Sequence, residues 1–312
     1  RYGDYWFPEV RSIGGAILML SLVLYPYVYM LARSAFLEQS ICVLEVSRTL
    51  GNSPAASFYR VALPLARPAI VTGLSLALME TLADYGTVEY FGVSTFTTGI
   101  FRTWFGMGDS ASAAHWSAML LGIEFVLIVL ERWSRRRARF HHTSNKYSEI
   151  RRYRLQGFSK YLAFAACLLP VLLGFLLPAL QLLVWTFTTA QESISWSFLS
   201  LTWNSLMLAA VAAIVAVLLA LLLAYGKRLR STPLIQGSVR TAAMGYAVPG
   251  TVIAVGVLIP FAWLDNTIDG WMRETFGIST GLLLSGTLVA LIFAYTVRFL
   301  SVSVQAVESG LA

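Results

Sequence analysis

Three carboxylates, Glu80, Asp84 and Glu89, interrupt an otherwise apolar run over residues 69–92. Glu80 and Asp84 are four apart, a spacing that places both on one face of a helix. A charged side chain in hydrocarbon is costly, so such residues usually face a bundle interior, a partner group or a watery path. Three readings stand side by side: lining of a translocation path, ligation of a hard cation through oxygen, and pairing with Arg, Ser or Thr on neighbouring helices. Glu124 is a further single acid in an apolar run. No nucleophile–base pair or metal-ligand spacing accompanies these acids. GKRLRS at 226–231 has Gly-Lys but lacks the glycine-rich lead of a phosphate-binding loop. The two cysteines, Cys42 and Cys167, form no CxxC pair. The chain is therefore not expected to be an enzyme, to hydrolyse ATP, or to carry a metal or cofactor of its own.

A second set of residues is organised for contact. In LEVSRTLGNSPAASFYRVALPLARPAI, residues 44–70, the stretch around 41–50 can form a short amphipathic helix. Gly51 can end it, because glycine tolerates the left-handed backbone of a helix C-terminus. Ser53 can cap the next helix and Pro54 can occupy its first position. That helix is expected over about 54–61, ending near Leu63 and Pro64. Two readings fit: a folded knob that docks a soluble partner, or an amphipathic segment lying on a bilayer.

The elements that position these residues are membrane spans. Of 312 residues, 57% are hydrophobic and 12% charged, against about 25% charged in an ordinary soluble domain. Seven apolar stretches, about 13–36, 69–92, 114–132, 161–187, 203–225, 241–263 and 279–299, approach the length that crosses roughly 30 Å of hydrocarbon. They must be helical, since an open strand edge in lipid leaves its backbone groups unpaired. A run such as LMLAAVAAIVAVLLALLLAY has no polar face and excludes a soluble helical bundle. Gly245, Pro249 and Gly250 are expected to break or bend the sixth span. His115 lies at a span edge, His141 and His142 lie in a basic linker, and Trp and Tyr gather near span ends as interfacial anchors. The net charge of +7 resides in short segments between spans rather than on a solvated basic face, so no nucleic-acid partner is expected. Residues 132–160 hold ten Lys and Arg, 37–68 add Arg48, Arg60 and Arg67, and the loop after the fifth span adds Lys227, Arg228, Arg230 and Arg240. The positive-inside rule makes that side cytoplasmic, with the N-terminus of the segment outside and its C-terminus inside.

Residues 45–64 resemble the coupling loop of binding-protein-dependent ABC importer permeases, whose pattern is Glu-Ala-Ala, three residues, Gly, nine residues, Ile-x-Leu-Pro. Glu45, Val46 and Ser47 stand at the first three positions, Gly51 at the glycine, and Val61, Leu63 and Pro64 at the end. Val46 and Ser47 replace the two alanines and Val61 the isoleucine, while the spacing is kept. The resemblance implies that this loop sits in a groove of a cytoplasmic ATPase. Glu45 would make the polar contact, Gly51 the close turn, and Leu63 and Pro64 the return into the membrane. LMETLADYGTVEYFGVSTFTTGIFRTWF, residues 78–105, is similar to the corresponding region of fused, two-module permeases such as ferric-iron importers.

The resemblance implies an all-α polytopic transmembrane bundle, about seven spans of a permease with roughly twelve helices in two modules. An internal similarity at an offset of 270 residues sets Tyr25 on Tyr295 and Glu38 on Glu308. The first module is expected to end near 134, a basic linker to cover 135–160, and a second module to run over 161–312 and stop short of its own coupling loop. The chain is accordingly expected to be part of a longer protein. The implied function is that of the permease subunit of an importer in a bacterial inner membrane. Its implied partners are a cytoplasmic ABC ATPase dimer that binds ATP and Mg, an extracytoplasmic solute-binding protein and the lipid bilayer. Ferric iron is the first cargo considered, with thiamine, polyamines or another small solute, phosphonate included, as alternatives. An ion-gradient-driven secondary transporter is the rival from another class, and it leaves residues 44–64 unexplained.

Overall fold

The computed structural model describes residues 9–39, 41–136, 154–193, 195–229, 232–242 and 244–311. The expected linker residues 137–153, with His141 and His142, and Arg230 lie outside the described residues. All regular structure among the described residues is helical: α1 (Ile13–Glu38), α2 (Ile41–Thr49), α3 (Pro54–Ser57), α4 (Leu63–Ala83), α5 (Gly86–Tyr90), α6 (Phe96–Phe101), α7 (Ser110–Arg136), α8 (Phe158–Val171), α9 (Leu177–Ser193), α10 (Trp196–Leu229), α11 (Pro233–Ala242), α12 (Gly250–Phe276) and α13 (Leu288–Leu311). Among the described residues, seven continuous helical stretches are long and apolar enough to cross a membrane: Ile13–Glu38, Pro54–Ala83, Ser110–Ser134, Phe158–Thr188, Trp196–Leu229, Gly250–Phe276 and Leu288–Gly310. The chain is thus an all-α, multi-pass membrane protein. Large apolar side chains, among them Trp196, Phe164 and Leu222, are exposed on these helices, as suits spans whose solvent is lipid.

Several boundaries differ from the sequence expectation: the second span ends at Ala83 rather than 92, the sixth runs to Phe276 rather than 263 and the seventh to Gly310 rather than 299. The helix begun at Pro54 does not end near Leu63 and Pro64; a π-helical turn, Phe58–Ala62, carries it into α4. The Leu63 N–H reaches back to the Phe58 carbonyl, five residues away. Pro64 follows immediately, so its missing donor falls where the bonding pattern has already widened, and the chain continues without a break. The sixth span begins at Gly250 rather than 241, because the short turn Gly245–Ala247 and Pro249 interrupt the helix, as those residue types suggested. The seventh begins at Leu288 rather than 279. Residues 277–287 are instead held as a non-helical loop by carboxylates of α12.

One compact unit comprises residues 1–94 and 125–188. Its central pair is α1 with α4. Their backbones approach closely at Gly73, where an added Cβ would stand 2.7 Å from the Val28 Cα and 2.9 Å from the Tyr27 carbonyl oxygen. Small residues at such crossings let dispersion forces join helices that lipid does not push together. Gly174, in a π-helical turn at Leu172–Leu176, meets the Leu22 carbonyl of α1 in the same manner. Thr72 on α4 donates to the Pro68 carbonyl and to the Glu131 carboxylate on α7, both at 3.0 Å. An interhelical bond of this kind in a membrane contributes about 0.6 kcal/mol on average.

The second unit comprises residues 95–124 and 189–312. Ala212, Ala216, Ala220 and Ala224 form the buried stripe of α10, and α13 packs with that helix. Ala220, Val239 and Val304 form one core, and Ile253, Val257 and Ala290 another. Asp265 on α12 is 1% exposed and accepts hydrogen bonds from the N–H groups of Leu283, Leu284 and Ser285 and from the Ser285 hydroxyl. Asp269, one turn on, accepts from Ser279 and from the Thr280 and Gly281 N–H groups and pairs with Arg273 at 2.7 Å. Asp109 caps α7 through the Ser112 hydroxyl and N–H, which hold its carboxyl below the usual carboxylate range.

Candidate functional site

The helix–turn–helix at 41–64 is built from its turn outward. Helix α2 ends at Thr49, and Gly51 follows with φ +87°, a left-handed backbone that a residue with a Cβ adopts only under strain. The Gly51 N–H donates to the Arg48 carbonyl and the Asn52 N–H to the Ser47 carbonyl, at 3.0 and 3.2 Å, satisfying the end of α2. Ser53 has extended backbone angles and its hydroxyl accepts from the Ala56 N–H at 3.2 Å, with Pro54 in the first helical position.

A buried polar contact fixes the angle between the two helices. Ser47, 4% exposed, and Ser57, 3% exposed, share a hydrogen bond with their hydroxyls 2.9 Å apart. The Asn52 amide donates to the Ser47 hydroxyl at 3.3 Å. Gln39, just past α1, donates to the Ala62 carbonyl at 2.8 Å, and the rings of Phe36 and Phe58 stack 5.8 Å apart. The knob is therefore tied to the spans on both sides of it. Glu45, Val46, Gly51 and Pro54 face outward, and Leu50 and Tyr59 add exposed apolar surface beside them. Val61 and Leu63 are half-buried in the wide turn, and Pro64 is exposed at the start of α4. An exposed acid on α2 with exposed apolar side chains nearby, on helices joined by a fixed turn, offers both apolar and polar contact to a partner.

The three carboxylates do not form one cluster on a shared helix face. Glu80 is half-buried in the last turn of α4, which ends at Ala83. Asp84 is the C-terminal cap of that helix, where the chain turns extended after a helical φ of −67°. Its carboxylate accepts from the Thr87 hydroxyl and the Val88 N–H, both at 3.0 Å, and so caps α5. Glu89 is exposed on α5. No group of three His, Cys, Asp or Glu side chains suited to a metal ion occurs among the described residues. Glu124 is fully buried in α7, His115 bonds the Ala111 carbonyl through Nδ1 on the exposed side of that helix, and Cys167 is exposed.

Two features escaped the sequence. Ser47 reads as a small residue in an alanine position, and its partner Ser57 lies ten residues on with no pattern joining them. Asp265 had a visible signal, an acid one helical turn beyond a long apolar run, but its recipients are backbone N–H groups that no sequence pattern marks.

Residues 8–140 match the family described as the binding-protein-dependent transport system inner membrane component. The chain is 26% identical over 254 residues to an Fe(3+)-transport system permease protein of Haemophilus influenzae, covering 80% of this chain and 50% of that protein. It is 27% identical over 123 residues to a molybdate/tungstate transport system permease protein of Pyrococcus abyssi, covering 39% of this chain and 50% of the relative. A probable molybdenum ABC transporter permease protein of Haloferax volcanii is 30% identical over 79 residues. The chain spans half the length of each of the first two relatives, and no solved structure matches it. The matched family is one of transport-system membrane components, not of enzymes. The match runs from before α1 to just past α7 and takes in the knob, so the part of the chain that is similar to this family is the part that carries the candidate site.

Proposed function

We propose that the chain is part of the permease subunit of an ATP-driven ABC importer in a bacterial inner membrane, with the knob at 41–64 as its docking element for a cytoplasmic ATPase. The observation that carries this reading is the knob's construction: Gly51 at φ +87°, the Ser47–Ser57 clasp, and Glu45, Val46 and Leu50 turned outward. A segment that only lay on lipid would have no use for a fixed turn that holds a second helix against α2 through a buried polar contact. ATP and Mg would be bound by the ATPase dimer, whose closure would pull on the knob. Because α3, the π-turn and α4 form one continuous helix from Pro54 to Ala83, displacement of the knob would pass directly into a membrane span. Glu80, at the far end of that helix, with Asp84 and Glu89 after it, would lie at the outer mouth of the path. An extracytoplasmic binding protein would deliver the cargo there.

Ferric iron is the cargo we favour, because the relative named for Fe(3+) transport aligns with 80% of the chain and the molybdate/tungstate relative with 39%. The 8–140 match also supports a first module ending near 134, followed by a basic linker and the start of a second module over 161–312.

The test is co-purification of the full-length permease with its ATPase. Glu45→Ala is expected to weaken the complex about tenfold or more, as loss of a charge-assisted contact does. Gly51→Pro is expected to abolish it, because proline requires φ near −65° where the chain has +87°. A complex that survives both substitutions, with the permease still folded in the membrane, would place docking elsewhere.

A further inference from the structure

We propose that the start of α12, together with Arg298 of α13, is a binding site for a single oxyanion. The site lies wholly within the second unit, away from the knob, and its chemistry does not depend on ATPase docking. Pro249 ends the turn at Gly245–Ala247 and is fully buried, so the N-terminus of a 27-residue helix opens inside the protein rather than into solvent. Pro249 supplies no capping side chain, and Ile253 is the first residue whose N–H closes a helical bond, to the Pro249 carbonyl at 3.0 Å. The N–H groups of Gly250, Thr251 and Val252 therefore point out of the helix end without helical partners. A buried helix end left in that state is unfavourable.

Two side chains beside this helix end carry buried polar atoms without a hydrogen-bond partner among the described residues. Thr251, in the first turn, is 8% exposed, and its buried hydroxyl has no hydrogen-bond partner among the described residues. Arg298 reaches over from α13, and its Nη1 lies 2.6 Å from where a Cβ on Gly250 would stand. Its buried Nε has no hydrogen-bond partner among the described residues either, and its recorded charge contact is with the ring of Phe299. Gly245 presses against the Val297 carbonyl so tightly that an added Cβ would clash, which holds the turn and Arg298 together. An arginine within a membrane span is expensive and ordinarily sits opposite an acid. Here it sits beside the positive end of a helix dipole, an arrangement that raises the cost further. An oxyanion reverses every one of these terms, since its oxygens accept from the helix N–H groups, from the Thr251 hydroxyl and from the guanidinium at once. The glycine at 250 leaves room for that approach. Free phosphate or sulfate and the phosphate of a lipid headgroup share this chemistry.

The experiment uses the full-length permease in a phosphate-free maltoside detergent. Its unfolding temperature is followed during titration with sodium sulfate or inorganic phosphate, against sodium chloride at matched ionic strength. A short-chain phosphatidic acid is titrated in a separate arm. Radiolabelled sulfate in equilibrium dialysis gives a readout that does not depend on unfolding. We expect a saturable rise in unfolding temperature. We also expect an affinity about tenfold or more weaker in Arg298→Gln, and a smaller loss in Thr251→Val, which keeps the shape of the side chain. Saturation by the phosphatidic acid but not by inorganic anions would assign the site to a lipid headgroup. A response no larger than that to chloride, or one unchanged in both variants, would overturn the proposal.

Discussion

At the scale of single residues, the knob and the loop after α12 rest on buried polar groups with few alternatives. Ser47 and Ser57 satisfy each other's hydroxyls in a region from which water is excluded. Replacing Ser47 strands the Ser57 hydroxyl, whereas replacing Ser57 still leaves Ser47 the Asn52 amide; a stranded buried hydroxyl costs about 1–3 kcal/mol, and removing both can be close to neutral. Ser47→Ala alone is thus expected to loosen the segment 41–57, and Ser47→Ala/Ser57→Ala to restore much of its order. Hydrogen-exchange protection of those amides checks the prediction, and additive losses in the double variant would refute the clasp. Asp265 offers a harsher case. Its two oxygens accept from three backbone N–H groups and one hydroxyl. Asn in its place keeps the shape but turns an amide NH₂ toward donors. Asp265→Asn is expected to destabilise the 277–287 loop by about 1.5–3 kcal/mol, read as faster exchange at Leu284 and Ser285. Asp265→Asn exchange rates equal to wild type would mean the carboxylate does not hold the loop.

At the scale of elements, the helices pack where their sequences allow close approach. Gly73 and Gly122 are both glycines inside spans, yet their surroundings are opposite. An added Cβ at Gly73 would press into the backbone of α1, while one at Gly122 would meet nothing within 4 Å. Gly73→Ala is therefore expected to destabilise the α1–α4 pair by about 1–3 kcal/mol through overpacking. Gly122→Ala should be neutral or stabilising by up to about 1 kcal/mol through helix propensity. Detergent-based thermal unfolding of the two variants side by side decides it. The difference marks what was legible in the sequence. Helix identity and the count of seven came from hydrophobic length, because lipid imposes helical bonding on any long apolar run. The turn at Gly51 and the cap at Ser53 came from residues with few conformational options. The π-turn at Phe58–Ala62 and the place of Asp84 beyond the end of α4 were not legible. Each depends on how a carbonyl or carboxylate finds a donor after the helix has formed. The expected offset of 270 would set α1 on α13, but Glu38 accepts from Ser34 within α1 while Glu308 pairs with Lys227 of α10, so the two positions make different contacts.

At the scale of the whole molecule, the spans and the basic segments together predict which loops share a side of the membrane. Five apolar helices, Pro54–Ala83, Ser110–Ser134, Phe158–Thr188, Trp196–Leu229 and Gly250–Phe276, separate the knob from the loop that follows α12. If all five cross, the two lie on opposite sides, and the positive-inside rule predicts a cytoplasmic knob from the Lys and Arg residues flanking it and following α10. Leu50 and Ile278 are both exposed and mark the two places. With Cys42 and Cys167 replaced by Ser, Ile278→Cys is expected to react with a membrane-impermeant maleimide in intact cells. Leu50→Cys should react only after the membrane is opened. Labelling of both from one side would mean that one of the five helices does not cross. Labelling of Leu50→Cys alone from outside would invert the orientation, and a knob facing away from the cytoplasm could not meet an ATPase there.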